Sequence, residues 1–117
     1  MLRSLIFYLG FALATGVYFV LLALLLPFPV RLRNRSLGGW SAFVLWWLGV
    51  SCGLHFRVEG REHIPPGPAV VLAKHQSAWE TIALQRVFPA QTWVLKRSLL
   101  WIPLFGWGLA MTWPVAI

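Results

Sequence analysis

Leu5 to Leu26 runs LIFYLGFALATGVYFVLLALLL without a charge. At helical rise those residues span roughly 33 Å, enough to cross a hydrocarbon core. Pro27 and Pro29 end the run, and only Arg3 precedes it as a charge. A secretory signal has a shorter apolar stretch and a small-residue cleavage site; this stretch reads instead as an uncleaved anchor. Val30 to Ser36 carries Arg31, Arg33 and Arg35, a block suited to a headgroup surface, where each cation near anionic lipid contributes about 1 kcal/mol. Leu37 to Phe56 is apolar again but holds four Gly and three Trp. It is expected as a second spanning helix or as a helix lying in one leaflet. If both segments cross, the triple-Arg loop faces one side and Arg3, Arg57, Arg61 and Lys74 the other. The positive-inside rule has no clean solution for that hairpin. Two helices sharing one leaflet, or one crossing and one interfacial helix, remove the conflict.

The pattern changes near His55. Phe56 to Gly60 alternates and predicts a short strand. Ile64-Pro65-Pro66-Gly67-Pro68 predicts a turn. Ala69 to Ala73 is a short β-branched run that suits a buried strand. Ser77 to Phe88 predicts a helix closed by Pro89, and Gln91 to Lys96 another strand. Ile102 to Thr112 predicts a short helix or a membrane-facing loop, and Trp113 to Ile117 a further strand. Strand, helix, strand, helix, strand implies an α/β layer with some parallel pairing. The strand-like segment stops at Ile117 with no polar tail, so the chain is expected to be an incomplete N-terminal portion.

Composition sharpens the membrane reading. Hydrophobic residues make up 59% of the 117 and charged residues only 11%, against about 25% charged in soluble domains. The formal charge is +7, from ten Lys and Arg against three Glu. A basic balance suits nucleic acid or an anionic membrane. The apolar segments favour the membrane, and no dense basic helix or RNA-binding aromatic motif supports nucleic acid. The eight Trp suit an interface, because the indole body is apolar and its N–H is polar. Cys52 is the sole cysteine, which excludes an internal disulfide and a cysteine-based metal site.

Chemistry concentrates in Lys74-His75-Gln76-Ser77-Ala78-Trp79-Glu80. Histidine beside a carboxylate can take a proton near neutral pH. Five residues apart on one helix, His75 and Glu80 would diverge by about 140°; on one strand they would face opposite ways. They can meet only where the backbone turns between them, with His75 in the turn and Glu80 in the first helical turn. Ser77-Ala78-Trp79-Glu80 also matches the S-x-x-E capping box, and on spacing alone the cap is the stronger explanation of Glu80. The roles are compatible, because a carboxylate has two oxygens. His55 and His63 read as structural residues, and the successive spacings of the three histidines fit no compact metal motif. Lys96 and Arg97 alone read as a solvated pair at a strand end.

KHQSAWE resembles the H-x4-D/E motif of the glycerolipid acyltransferases, specifically the bacterial 1-acyl-sn-glycerol-3-phosphate acyltransferases. FRVEG, PAVVLAKHQS and TWVLKRSLLWIPLFGWGLAMTWPVAI are similar to successive segments of that family, with an apolar anchor ahead of them. The motif alone is weakly specific; with Lys96-Arg97 and Ile102-Pro103-Leu104-Phe105-Gly106 it becomes fairly specific. The family more often has Asp where Glu80 stands and Asn where Lys74 stands. The resemblance implies an α/β fold: a two-helix membrane anchor over 1–54, then an incomplete N-terminal part of an acyltransferase domain over 55–117. It implies that His75 is a catalytic general base, that Glu80 orients it, and that Lys96, with Arg97 beside it, binds the acceptor phosphate.

The implied reaction moves an acyl group from acyl-CoA or acyl carrier protein to the sn-2 hydroxyl of lysophosphatidic acid. The thioester serves as co-substrate, and no metal or other cofactor is needed. The implied partners are membrane lipid and these substrates. The implied location is the cell inner membrane, with the site facing the cytoplasm. The family's later F-P-E-G-T-R-like motif is absent, so the chain alone is expected to be inactive. Alternatives are a non-enzymatic helical-hairpin membrane protein and an acyltransferase for a different lysolipid.

Overall fold

A computed structural model of the chain describes residues 1–88 and 91–117. The first apolar run forms α1, Leu2–Leu24. It is the one helix among the described residues that is long and apolar enough to cross a membrane. A short turn leads to α2, Val30–Cys52, which runs back along it. The pairing is antiparallel: Tyr18 of α1 contacts Ser36 of α2 through their hydroxyls (3.1 Å), while the Trp47 indole donates to the carbonyls of Ile6 and Phe7 (3.3 Å each). Gly10 permits this approach, because a side chain there would collide with the Trp47 ring.

The triple-Arg block is helix rather than loop. Pro29 stands just before the first turn of α2, so Arg31, Arg33 and Arg35 enter the helix itself. Proline is well placed there, since the amide hydrogen it lacks would have no helical partner. Arg33 is buried, and its carbonyl accepts the Ser36 hydroxyl at 2.7 Å. The second helix thus begins before the second apolar run does, and it closes at Gly53, whose N–H donates to the Gly49 carbonyl at 2.9 Å.

The structure is mostly helical rather than an α/β layer. Neither Phe56–Gly60 nor Ala69–Ala73 is a strand. Val70 and Leu72 are almost fully exposed, at 89% and 94%. A strand is stabilised by its ladder and by side-chain contacts with neighbours, and no described segment pairs with either run. Parallel pairing does occur further on. β1, Val94–Leu95, pairs with β2, Val115–Ala116, in the register Val94 to Val115 and Leu95 to Ala116. The Ile117 amide donates to Leu95, and the Arg97 amide to Ile117 (3.0 and 2.9 Å). Between the two strands lie a 3-10 helix, Arg97–Trp101, and α4, Phe105–Ala110.

The site helix, α3, spans Ala78–Val87, within the range expected from sequence. Pro89, expected to close it, lies outside the described residues. α3 packs on α2: the Gln85 amide group reaches the Asn34 carbonyl at 3.5 Å. The small core lies where α1 and α2 meet. Tyr18, Leu22 and Leu37 are buried there, with Trp40 and Met111 packed against them. Burying a leucine such as Leu22, at 0% exposure, contributes about 1.5–3 kcal/mol.

Candidate active site

The extended segment before α3 carries His75, and the chain turns at Ser77, whose backbone is extended at φ −155°. Ala78 then starts the helix. That turn solves the spacing problem set by the sequence. Glu80, at the third helical position, comes back over its own N-terminus. Its Oε2 accepts the amides of Gln76 and Ser77, both at 2.8 Å. The same oxygen lies 3.3 Å from His75 Nδ1. Ser77 and Glu80 form the reciprocal capping box. Cap and histidine partner are therefore one carboxylate, and the two roles fall on a single oxygen rather than being divided between its two.

The electrostatics favour an ionised Glu80. The Ser77 amide, then the Gln76 amide, hold its carboxyl below the ordinary carboxylate range, with a smaller contribution from His75. Carboxylates that accept backbone N–H bonds behave this way, and a helix N-terminus also favours negative charge. Glu80 is mostly covered, while the His75 side chain is 70% exposed. Nδ1 is the ring nitrogen nearer the carboxylate; a proton held there would leave Nε2 with its lone pair, the tautomer a general base requires.

The other sequence candidates lie elsewhere. Lys96 immediately precedes the 3-10 helix and Arg97 opens it, both exposed. Among the described residues, no hydrogen bond or ion pair joins them to His75 or Glu80. His63 pairs with Glu62 at 3.4 Å on the surface. His55 lies against Gly49, at the end of α2. No group of three His, Cys, Asp or Glu is close enough to hold a metal among the described residues.

Two supports were not visible from motif spacing. Trp79, beside Glu80 in sequence, packs edge-on against Phe56, with ring centroids 5.4 Å apart. Gln85, deep in α3, is buried at 4% exposure; its Oε1 accepts Gln91 Nε2 at 2.6 Å and Trp93 Nε1 at 2.8 Å. A mid-helix glutamine carries no sequence signal for such a role. Only the return of the chain toward β1 brings those donors to it.

Fold and site together describe a largely helical protein with an apolar N-terminal helix and a histidine–carboxylate pair at a helix mouth. Residues 55–115, just over half the chain, match the family model described as Acyltransferase, and the chain belongs to that family. It is 41% identical over 119 residues to a 1-acyl-sn-glycerol-3-phosphate acyltransferase of Pseudomonas aeruginosa, an alignment covering 99% of this chain and 46% of that protein. It is 36% identical over 61 residues to the 1-acyl-sn-glycerol-3-phosphate acyltransferase of Saccharomyces cerevisiae, covering 51% of this chain and 20% of that one. The chain thus spans just under half the length of the first relative and a fifth of the second. No solved structure matches it.

Proposed function

We propose that this chain carries the general-base half of an enzyme that acylates the sn-2 hydroxyl of lysophosphatidic acid to give phosphatidic acid. The carrying observation is the 3.3 Å approach of Glu80 Oε2 to His75 Nδ1, with the imidazole open to a substrate. The names of both relatives supply the acceptor, and the thioester donor is acyl-CoA or acyl carrier protein.

In this reading, Nε2 of His75 takes the hydroxyl proton as the oxygen attacks the thioester carbonyl. The C–O bond forms and the C–S bond breaks. The imidazolium returns its proton to the leaving thiolate, so the products are phosphatidic acid and a free thiol. Glu80 fixes the tautomer and stabilises the transient imidazolium. General-base help of this kind contributes about 10²–10⁴ in rate, so positioning supplies the rest. Lys96, with Arg97, holds the acceptor phosphate. α1 and α2 (1–54) anchor the enzyme at the inner membrane, with the site on the cytoplasmic side, and 55–117 belong to the acyltransferase domain.

The test is a chimera in which this chain replaces the matched 46% of the Pseudomonas aeruginosa relative, assayed in membranes for acyl transfer to lysophosphatidic acid. His75→Ala is expected to lower turnover by about 10²–10⁴ while the protein stays membrane-bound. Undiminished turnover would remove the general-base role. Lys96→Ala is expected to raise KM for the acceptor by roughly tenfold or more, since hydrogen bonds to charged groups contribute about 1.5–3 kcal/mol. An unchanged KM would take Lys96 out of the phosphate site.

A further inference from the structure

Residues 97–107 form a built unit rather than a slack loop. The 3-10 helix Arg97–Trp101 turns directly into α4, and the Gly106 amide donates to Ile102 at 2.8 Å. A side chain at Gly106 would collide with the Leu99 carbonyl, so the two pieces are folded tightly on each other. Leu104, at the bend, is held at φ +62°, a conformation that L-residues adopt only when their surroundings enforce it.

This rigid unit shows water the wrong side chains. Leu99, Trp101, Ile102, Leu104 and Trp107 are all exposed, Trp101 at 79%. Large exposed apolar side chains gathered on one short rigid unit call for a partner. Its neighbour identifies the partner. The Trp107 ring packs on Phe19 of α1, centroids 6.3 Å apart, and Leu22 of α1 lies against Gly108. The unit is therefore fastened to the helix that is long and apolar enough for a membrane. Charge agrees. Lys96 and Arg97 stand exposed at its start. The three side-chain carboxylates face elsewhere: Glu59 to Arg57, Glu62 to His63, and Glu80 to His75. Tryptophans flanked by unneutralised cations match the boundary between acyl chains and anionic headgroups.

We propose that residues 97–107 are a wedge that inserts into the phospholipid leaflet beside α1, with Trp101, Ile102 and Leu104 among the upper acyl chains and Lys96 and Arg97 at the depth of the lipid phosphates, the depth at which an acceptor lipid presents its own phosphate to them. The insertion rests on α1 lying in lipid, not on acyl transfer. It would keep the chain segment between the two strands at a fixed depth.

The test uses the full chain in vesicles of phosphatidylcholine and phosphatidylglycerol. Cys52→Ser removes the sole native thiol. Single cysteines are then placed by Trp101→Cys, Ile102→Cys, Leu13→Cys and Glu59→Cys, and each is labelled with an environment-sensitive fluorophore. Nitroxide-bearing lipids with the label near the headgroup are expected to quench positions 101 and 102 severalfold more than 59. Aqueous iodide should show the reverse order, and position 13, on the outer face of α1, should respond to lipid quenchers. Iodide quenching at 101 and 102 equal to that at 59 would overturn the wedge. Shielding of both positions from iodide and lipid quenchers alike would also overturn it, because a protein surface then covers them. A position 13 blind to lipid would remove the premise and the proposal together. None of these readouts depends on turnover, so acyl transfer stands or falls separately.

Discussion

Glu80 is shared between two demands. One oxygen closes the N-terminus of α3 over the Gln76 and Ser77 amides and also faces the His75 ring. Its lowered pKa sets a direction for pH. A carboxyl depressed on folding contributes stability in full above its unfolded pKa and loses it as pH falls through the folded value. Amide protection at Gln76 and Ser77 is therefore expected to be constant above the ordinary carboxylate range and to drop at more acid pH. NMR-detected exchange measures this, and protection that does not change on acidification would contradict the ionised cap. At this scale much was legible: S-x-x-E announced the cap, and the spacing required a bend between His75 and Glu80. The Gln76 amide was not legible as a second donor, because it depends on the path by which extended chain becomes helix.

At the scale of elements, α3 is held in place by its buried glutamine. Gln85 serves Gln91 and Trp93 through one oxygen and reaches Asn34 of α2 with its nitrogen. Gln85→Leu keeps the bulk but leaves two donors without that acceptor. Both donors are half-buried, so the loss is expected at the low end of the roughly 1–3 kcal/mol that an unsatisfied buried group costs, and the midpoint of denaturant unfolding should fall accordingly. An unchanged midpoint would show that the network does not tie α3 to its neighbours. α1 was legible because an apolar run of that length has few other solutions, and α3 because of its cap; α2 was legible as a helix but begins seven residues ahead of its apolar run, at Val30 rather than Leu37. Short strands were not. FRVEG and AVVLA have the composition of strands, but a strand exists only through a partner, and a single sequence does not show which segments pair. The parallel bond of β1 to β2 was anticipated as a class, not as a register of two residues each.

At the scale of the molecule, the apolar helix pair and the site are one packed body, since α3 lies on α2 and α4 on α1. Charge counting had already disfavoured a simple crossing hairpin; the entry of the arginine block into α2 adds a structural reason. Within the α1–α2 anchor, α1 is the helix long and apolar enough to cross, so it is expected to supply most of the hold on the membrane. Leu13→Arg together with Val17→Arg, on its outer face, should shift the protein from the carbonate-resistant membrane fraction to the supernatant, because an arginine in hydrocarbon costs about 2.5–3.5 kcal/mol by insertion scales. Full retention would place the anchor elsewhere. Family membership was legible in KHQSAWE and its surroundings before any geometry; a membrane-facing loop was one of two readings of Ile102 to Thr112, but the fold-back at Gly106 that ties it to residues 97–101 was not legible. The central claim is that the Glu80 charge steers His75, and Glu80→Gln separates that from capping, because glutamine still caps a helix. In the chimera, kcat for lysophosphatidic acid acylation is predicted to fall by an order of magnitude or more while the unfolding midpoint stays near that of the parent; near-normal kcat at the same midpoint would show that the carboxylate is a cap alone.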